Sequence, residues 1–140
     1  MATLFTKIIA GELPGRFVWK DDRAVAFLSI HPLKPGHTLV VPREEVDHWL
    51  DLSPELLDHL GRVAQAIGKA QQRAFAPARV GLMLAGLEVP HVHYHVVPID
   101  GVSDLDFARQ DTNATPAALD AAAQSLRDAL RALGHAEVAT

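Results

Sequence analysis

The sequence predicts an α+β protein in which an antiparallel sheet of about five strands is covered by two main helices. Two observations carry this prediction. Short apolar or alternating runs recur between turn signals, and two longer segments have helical periodicity. The chain has 140 residues, of which 49% are hydrophobic and 21% are charged. That balance is typical of a globular protein with a sizeable core, so we expect a single domain over residues 1–140.

The strands are predicted where β-branched and aromatic residues cluster between turn signals. An Asp-Asp pair, the segment HPLKPG and Pro42 bound the first three runs, and such residues favour turns. Short connections between successive runs favour antiparallel pairing. The predicted strands cover residues 16–20, 24–30, 37–42, 79–86 and 91–98.

Each of the two helices has a start signal followed by an apolar stripe. Ser53 and Thr115 are the predicted N-caps, and Pro54 and Pro116 occupy the first helical positions. The helices are predicted to run from Ser53 to Phe75 and from Thr115 to a stop at Gly134. Their stripes consist of Leu56, Leu60, Val63 and Ile67 in the first helix and of Leu119, Ala123, Leu126, Leu130 and Leu133 in the second.

Composition excludes several classes of protein. The formal charge is −4, from 17 acidic and 13 basic residues without a Lys/Arg cluster, so binding to a nucleic-acid polymer is not expected. The absence of cysteine excludes disulfides, thiolate zinc sites and a cysteine nucleophile. No secretory signal and no apolar run of roughly 18 residues occurs, so we expect a cytoplasmic protein with no membrane segment.

The segment HVHYHVVP places His91, His93 and His95 at alternate positions. Alternate residues of a strand share a face, so the three rings would form a row while Val92 and Tyr94 face a core. Histidine has only a modest preference for strands, and nothing structural requires it to repeat. The row therefore indicates a functional site.

Two kinds of site could use such a row. A metal site could take two neighbouring histidines and a further ligand from His37 or Glu88, because a spacing of about 6.7 Å keeps three of them from reaching one zinc ion. A nucleophilic site could use all three, with one neutral imidazole attacking phosphorus while its neighbours contact phosphate oxygens. We favour the second interpretation, since it accounts for every histidine of the row.

The pattern His-φ-His-φ-His-φ-φ, where φ is apolar, is the signature of the histidine triad (HIT) family of nucleotide-binding hydrolases and transferases, and HVHYHVV resembles it at every position. The segments FTKIIAGELP and DDRAVAFLSIHPLKPGHTLVVPR are similar to the N-terminal half of bacterial members. The resemblance covers about residues 4–98. It implies a HIT-like fold and a homodimer.

The resemblance also implies roles for the histidines. His93 would be the nucleophile that attacks the α-phosphorus of a nucleoside monophosphate derivative, with a purine expected, and water would hydrolyse the nucleotidyl-histidine. His91, His95 and His37 would complete the catalytic group. Ser29, Glu88, His37 and His95 would contact the substrate. Histidine at the third triad position resembles the hydrolase branches, so we expect a nucleotide phosphoramidase or dinucleotide hydrolase without a cofactor.

The chain departs from the family pattern at three places. Many relatives have a zinc-binding Cys-x-x-Cys where this chain has Thr3 and Thr6, so no metal is expected. Ser29 stands where members often place an acid or amide on the ribose hydroxyls. Leu87 and Glu88 replace the end of a glycine-rich loop that usually finishes in Gly-Gln, and Glu88 lies near a phosphate or leaving-group contact.

Two alternative functions stay open at this point. One is a nucleotide-binding signalling or interaction module with little turnover, and the other is a metal-dependent hydrolase that uses a His-x-His pair. The glycine spacing of Gly81 and Gly86 matches a phosphate-binding loop, but Leu87-Glu88 replaces the required Lys-Ser/Thr, so a buried strand and turn is expected. Solvated side chains are expected at His31, His48, His59, His135, Glu45, Asp47 and Asp51.

Overall fold

The computed structural model describes residues 2–139 and contains one five-stranded antiparallel sheet in the order β1-β2-β3-β5-β4. The predicted α+β class, the strand number and the two main helices are confirmed. A third, short helix, α1, was not predicted. The elements are α1 (Leu4–Ile9), β1 (Phe17–Lys20), β2 (Ala24–Leu28), β3 (Thr38–Pro42), α2 (Pro54–Phe75), β4 (Arg79–Met83), β5 (Tyr94–Ile99) and α3 (Pro116–Ala132).

The two long helices begin as their sequences predict. The hydroxyl of Ser53 accepts a hydrogen bond from the Leu56 N–H, and the hydroxyl of Thr115 accepts one from the Ala118 N–H. Helix α2 ends where Ala76 adopts a left-handed conformation with φ of 47°. No helix within residues 2–139 is long and apolar enough to cross a membrane.

The two faces of the sheet are covered differently. On one face α2 and α3 pack on residues that include Ala26, Val40 and Tyr94 and form the main core. On the other face Phe5 of α1 packs on β2 and β3, in a smaller cluster that includes Leu39. His95 lies directly opposite Leu39 in the β3–β5 ladder, so its ring points to this second face. The less covered face is therefore the one that carries the candidate site.

Two strand predictions differ from the structure. Strand β5 begins at Tyr94, so His91 and His93 precede the strand in which they were predicted, and only His95 lies within it. Their positions are set by hydrogen bonds of the segment before the strand, where the His91 N–H donates to the Val89 carbonyl at 2.8 Å. The segment around Gly81 is also not buried as expected: β4 is an edge strand with a single neighbour, and Leu82 is 58% exposed.

Candidate active site

Helix α2 holds the turn that carries His37. Gly36 has φ of 91°, and a Cβ atom there would lie 2.4 Å from the ring of Phe75. The buried amide of Gln71 donates to the carbonyls of Gly36 and Val96, at 3.0 and 2.8 Å. Gly36 precedes His37 in the turn before β3, and Val96 follows His95 in β5. Glycine at position 36 and glutamine at position 71 thus hold the two histidine-bearing segments together.

His37 and His95 share a hydrogen bond inside the protein. The main-chain N–H of Leu33 donates to Nδ1 of His37 at 3.0 Å, and Nε2 of His37 lies 2.9 Å from Nδ1 of His95. Burial, with a smaller contribution from neighbouring histidines, lowers the pKa of His37 to about 3. Burial and the neighbouring His93 lower the pKa of His95 to about 4. Both rings are therefore neutral near pH 7, with one N–H each.

The positions of these protons follow from the donors. Nδ1 of His37 accepts from Leu33, so the single proton of this neutral ring is on Nε2 and is donated to His95. Nδ1 of His95 is then an acceptor, and its own proton is on Nε2. That Nε2 atom is buried and has no hydrogen-bond partner in the described chain. The site therefore presents an N–H donor without a partner among the described residues, and this donor could bind an oxygen of a phosphate.

His93 presents an acceptor nitrogen to the site, whereas His95 presents a donor. Its Nδ1 lies 2.7 Å from the carbonyl oxygen of His91, and a carbonyl can only accept, so Nδ1 carries a proton. In the neutral ring Nε2 is then a free lone pair. The rings of His93 and His95 are in edge-to-face contact with centroids 4.9 Å apart. A nucleophilic nitrogen thus lies beside a hydrogen-bond donor.

His91 contributes its main chain, because both of its ring nitrogens are occupied. Nε2 lies 2.7 Å from the carbonyl oxygen of Pro42, and Nδ1 lies 2.7 Å from the hydroxyl of Thr3. Burial lowers the pKa of His91, although the Pro42 carbonyl and Glu45 oppose this effect. The ring of His91 therefore has no nitrogen free for a phosphate, and its carbonyl holds the ring of His93.

Two aromatic residues that we did not predict as site residues enclose the triad. The ring of Phe5 meets His93 and His91 edge-on, with centroids 5.0 and 5.7 Å away, and the ring of Phe107 meets His95 at 5.0 Å. Thr3 and Gln71 were also missed. The only signal for Phe5 was its place within the N-terminal segment that resembles the family, since neither periodicity nor spacing marks it.

Ser29 lies between two cavities. One, of about 310 Å³, is walled by Phe5, Phe27 and Leu39 on the triad face of the sheet. The other, of about 420 Å³, lies between the β2–β3 connection and the start of α3 and is lined in part by His37. The main-chain N–H of Ser29 donates to the carbonyl of His37 at 3.0 Å. Serine 29 is thus adjacent to the predicted histidine group.

Glu88 approaches His93. Its Oε2 lies 3.7 Å from Nε2 of His93, and its side chain is half exposed. One ligand atom each from Glu88, His93 and His95 fall within 4.8 Å of one another, a spacing that a metal ion could bridge. However, a metal on Nε2 of His95 would displace the proton that the Leu33–His37 hydrogen-bond chain places there. The proton pattern therefore disfavours a metal.

The four remaining histidines were expected to be solvated, which is correct for His31 and His48. His59 is instead partly buried, with Nε2 2.8 Å from a carboxylate oxygen of Asp21. His135 packs edge-on against Trp19, with centroids 5.1 Å apart. Glu45, also expected to be solvated, is exposed but accepts a hydrogen bond from the Thr3 N–H at 2.8 Å.

Comparison with known proteins identifies the family of this chain. The family model described as "HIT domain" matches residues 10–102. The chain is 37% identical over 102 residues to an "Uncharacterized HIT-like protein" of Borreliella burgdorferi, covering 68% of this chain and 73% of that protein. It is 35% identical over 101 residues to "Purine nucleoside phosphoramidase" of Escherichia coli K12, covering 68% and 85%. The chain therefore belongs to the HIT family.

A solved structure extends the similarity to nearly the whole chain. The Zn-bound histidine triad family protein of Mycobacterium smegmatis has a TM-score of 0.82 and 26% identity, covering 95% of this chain and 96% of that one. Where the family resemblance places a zinc-binding Cys-x-x-Cys, this chain has Thr3 and Thr6, which offer neutral hydroxyls instead of thiolates. Nδ1 of His91 is also taken by the Thr3 hydroxyl. These residues do not fit a structural zinc ion.

Proposed function

We propose that this protein is a nucleotide hydrolase or nucleotidyl transferase that cleaves a bond at the α-phosphate of a nucleoside monophosphate derivative through a nucleotidyl-His93 intermediate. The observation that carries the proposal is the hydrogen-bond geometry of the two rings, from which we infer a lone pair on Nε2 of His93 near an N–H on Nε2 of His95. The first atom can attack phosphorus, and the second can donate to a phosphate oxygen as negative charge develops.

The reaction has two displacements. In the first, Nε2 of His93 forms a bond to the α-phosphorus, and the bond from phosphorus to the leaving group breaks. An amine leaving group takes the electron pair and acquires a proton from solvent. In the second, water attacks the same phosphorus, releases a proton to solvent and expels His93, which regains its lone pair. The Nδ1–H bond to the His91 carbonyl holds the ring in one orientation through both displacements.

We assign the nucleoside to the cavity walled by Phe5, Phe27 and Leu39. Its walls are apolar and aromatic, which suits a base, and Phe5 also contacts the nucleophilic His93. Ser29, on the rim, is then placed to meet the sugar. A purine is favoured because the E. coli relative is named for purine nucleosides. The other cavity is a weaker candidate, since both ring nitrogens of His37 are already hydrogen-bonded.

The charge of Glu88 favours amine leaving groups over polyphosphates. A carboxylate 3.7 Å from the attacking nitrogen repels additional phosphate groups and tolerates a neutral or cationic amine. Phosphoramidate hydrolysis is therefore the activity that we expect to predominate over dinucleotide hydrolysis.

A paired substrate assay tests this proposal. Adenosine 5′-phosphoramidate and diadenosine tetraphosphate would be given to the wild type, to Glu88→Gln and to the matched control Glu55→Gln, which lies in the first turn of α2. We expect the wild type to prefer the phosphoramidate, and Glu88→Gln alone to reduce that preference. Tight AMP binding without turnover of either compound would contradict the proposal and favour a binding module.

We also propose a homodimer formed through β4. This strand ends the sheet, and the outward side of its main chain has no partner strand within residues 2–139. The side chain of Leu82 on this strand is 58% exposed. An exposed edge with an apolar side chain favours pairing with a second copy of the same edge.

A further inference from the structure

Helix α1 is connected to the first histidine of the triad by hydrogen bonds. The hydroxyl of Thr3 lies 2.7 Å from Nδ1 of His91 and also accepts from the Thr6 N–H at 3.1 Å, which caps the helix. The Thr3 N–H donates to Glu45 at 2.8 Å. One threonine thus joins the start of the helix, the segment after β3 and the catalytic segment.

The direction of the Thr3–His91 bond follows from its surroundings. Nε2 of His91 faces the Pro42 carbonyl at 2.7 Å, so this nitrogen carries the proton of the ring. Burial keeps the pKa of His91 below its ordinary value, so the ring is neutral and Nδ1 is a lone pair. The single proton of the Thr3 hydroxyl must therefore go to this nitrogen at 2.7 Å, and not to the Thr6 hydroxyl, which lies 3.2 Å away. The Thr6 hydroxyl is then free to donate to Glu45, whose pKa is lowered first by that bond.

The ring of His91 is thereby held at both nitrogens, and the main chain of the same residue is hydrogen-bonded to His93. The carbonyl oxygen of His91 receives the Nδ1–H of His93 at 2.7 Å. The ring is joined to this peptide through the Cα atom, so a displacement of His91 that follows loss of the Thr3 bond would also move that carbonyl. The same carbonyl determines which nitrogen of His93 carries no proton. Loss of the Thr3–His91 hydrogen bond would therefore affect both the orientation and the tautomer of the nucleophile.

We propose that Thr3 is a positioning residue for the nucleophile. Its hydroxyl donates to Nδ1 of His91, and the carbonyl of His91 in turn accepts the Nδ1–H of His93. The effect on turnover rests on the proposed function, whereas the effect on the histidine rings does not. In this chain a hydroxyl anchors the first triad histidine where many relatives carry a zinc-binding Cys-x-x-Cys.

Three substitutions separate positioning from helix capping. Thr3→Ser retains both the cap and the donor. Thr3→Val removes both. Thr3→Asp retains the cap acceptor but has no proton to donate, so it should draw a proton onto Nδ1 of His91. Thr112→Val, at an exposed position, controls for the loss of a hydroxyl elsewhere.

The readouts are the ¹⁵N NMR signals of the histidine rings, thermal stability, and kcat and KM for adenosine 5′-phosphoramidate. We expect Thr3→Ser and Thr112→Val to match the wild type. Thr3→Val and Thr3→Asp should alter the ring signals of His91 and His93 and lower kcat by about tenfold, with little change in KM, because small displacements of a reacting group are costly. Thr3→Asp should nevertheless keep wild-type thermal stability.

Wild-type ring signals and kcat in both Thr3→Val and Thr3→Asp would overturn the positioning role. A normal Thr3→Asp beside an impaired Thr3→Val would also overturn it, because capping alone would then explain the effect. If the wild type itself fails to turn over, the proposed function fails, and the His91 and His93 signals still decide the role of Thr3.

Discussion

Nε2 of His37 lies 2.9 Å from Nδ1 of His95, and this contact determines which nitrogen of His95 faces the site with a proton. His37 can donate because its own Nδ1 is occupied by the Leu33 N–H. His37 lies 58 residues before His95 and is assigned to the catalytic group by the family resemblance. It therefore determines which nitrogen of His95 is a donor and which is an acceptor. It does so without needing to touch the substrate.

The buried histidines make stability depend on pH. The pKa is about 3 for folded His37 and about 4 for folded His95, against 6.5 as the ordinary value. Below pH 6.5 the unfolded chain therefore binds more protons than the folded chain, and the free energy of unfolding should fall as the pH decreases toward about 4. Each ring contributes up to about 1.4 kcal/mol per pH unit. Urea unfolding at several pH values between about 5 and 7 measures this slope.

Substitution identifies the source of that slope. His37→Asn keeps an acceptor for the Leu33 N–H but does not titrate, so its slope should be smaller than that of the wild type. His31→Asn, at an exposed position, should retain the wild-type slope. A wild-type free energy of unfolding that is constant from about pH 5 to 7 would contradict the neutral, buried rings on which the proton pattern depends.

Activity should be independent of metal. The two threonine hydroxyls do not suit zinc, and binding at Glu88, His93 and His95 would displace the proton on Nε2 of His95. Purified protein should contain no stoichiometric zinc by elemental analysis, and a chelator should leave phosphoramidate hydrolysis unchanged. Loss of activity on chelation, with recovery on adding zinc or manganese, would instead favour a metal-dependent hydrolase.

Ser29→Asp should tighten ribonucleotide binding selectively. A carboxylate can accept from both ribose hydroxyls in charge-assisted bonds, whereas serine offers one short hydroxyl. We expect weak discrimination between AMP and deoxy-AMP in the wild type, and a gain of about 1 kcal/mol, roughly fivefold, for AMP in the variant. Calorimetric titration measures both, with exposed Ser125→Asp as the control. A wild type that already prefers AMP tenfold, with no increase in Ser29→Asp, would remove Ser29 from the sugar site.

The β4 edge should support a dimer. Light scattering should give a mass near 30 kDa, twice the 15.2 kDa of one chain. Leu82→Asp would place a charge on this edge and should shift the mass toward one chain. Leu50→Asp introduces the same charge at another exposed leucine and should leave the dimer intact. A wild-type mass of one chain at every concentration would reject the dimer.

The sequence was sufficient for those parts of the fold that local signals specify. The apolar runs of β2 and β3 and the Ser-Pro and Thr-Pro starts of the long helices were placed nearly as observed. Helix α1 was missed because six residues carry too little periodicity, and its cap at Thr3 is recognisable only with the helix in view. Thr3, at the start of this helix, contacts His91, which lies about ninety positions later in the chain. No local sequence pattern reveals such a contact.

The histidines of the candidate site were singled out from the sequence, but their geometry and several of their neighbours were not. Alternation predicted a strand through His91, His93 and His95, whereas the strand begins at Tyr94 and the ring of His91 is hydrogen-bonded to Pro42 and Thr3. Gln71 could not be identified either, because on a helix it is an ordinary polar residue. Its role arises only when the carbonyls of two separate strands converge on its amide.

The most direct test of the account is the detection of a nucleotide bound covalently to His93. Wild-type protein, His93→Asn and the control His31→Asn would be mixed rapidly with adenosine 5′-phosphoramidate, quenched and analysed by peptide mass spectrometry. We predict an adenylyl group on the His93 peptide of the wild type and of His31→Asn. His93→Asn should carry no adenylyl group and should lose at least about 10³-fold in kcat. Turnover without an adduct, an adduct on another residue, or near wild-type turnover by His93→Asn would contradict the assignment of His93 as the nucleophile.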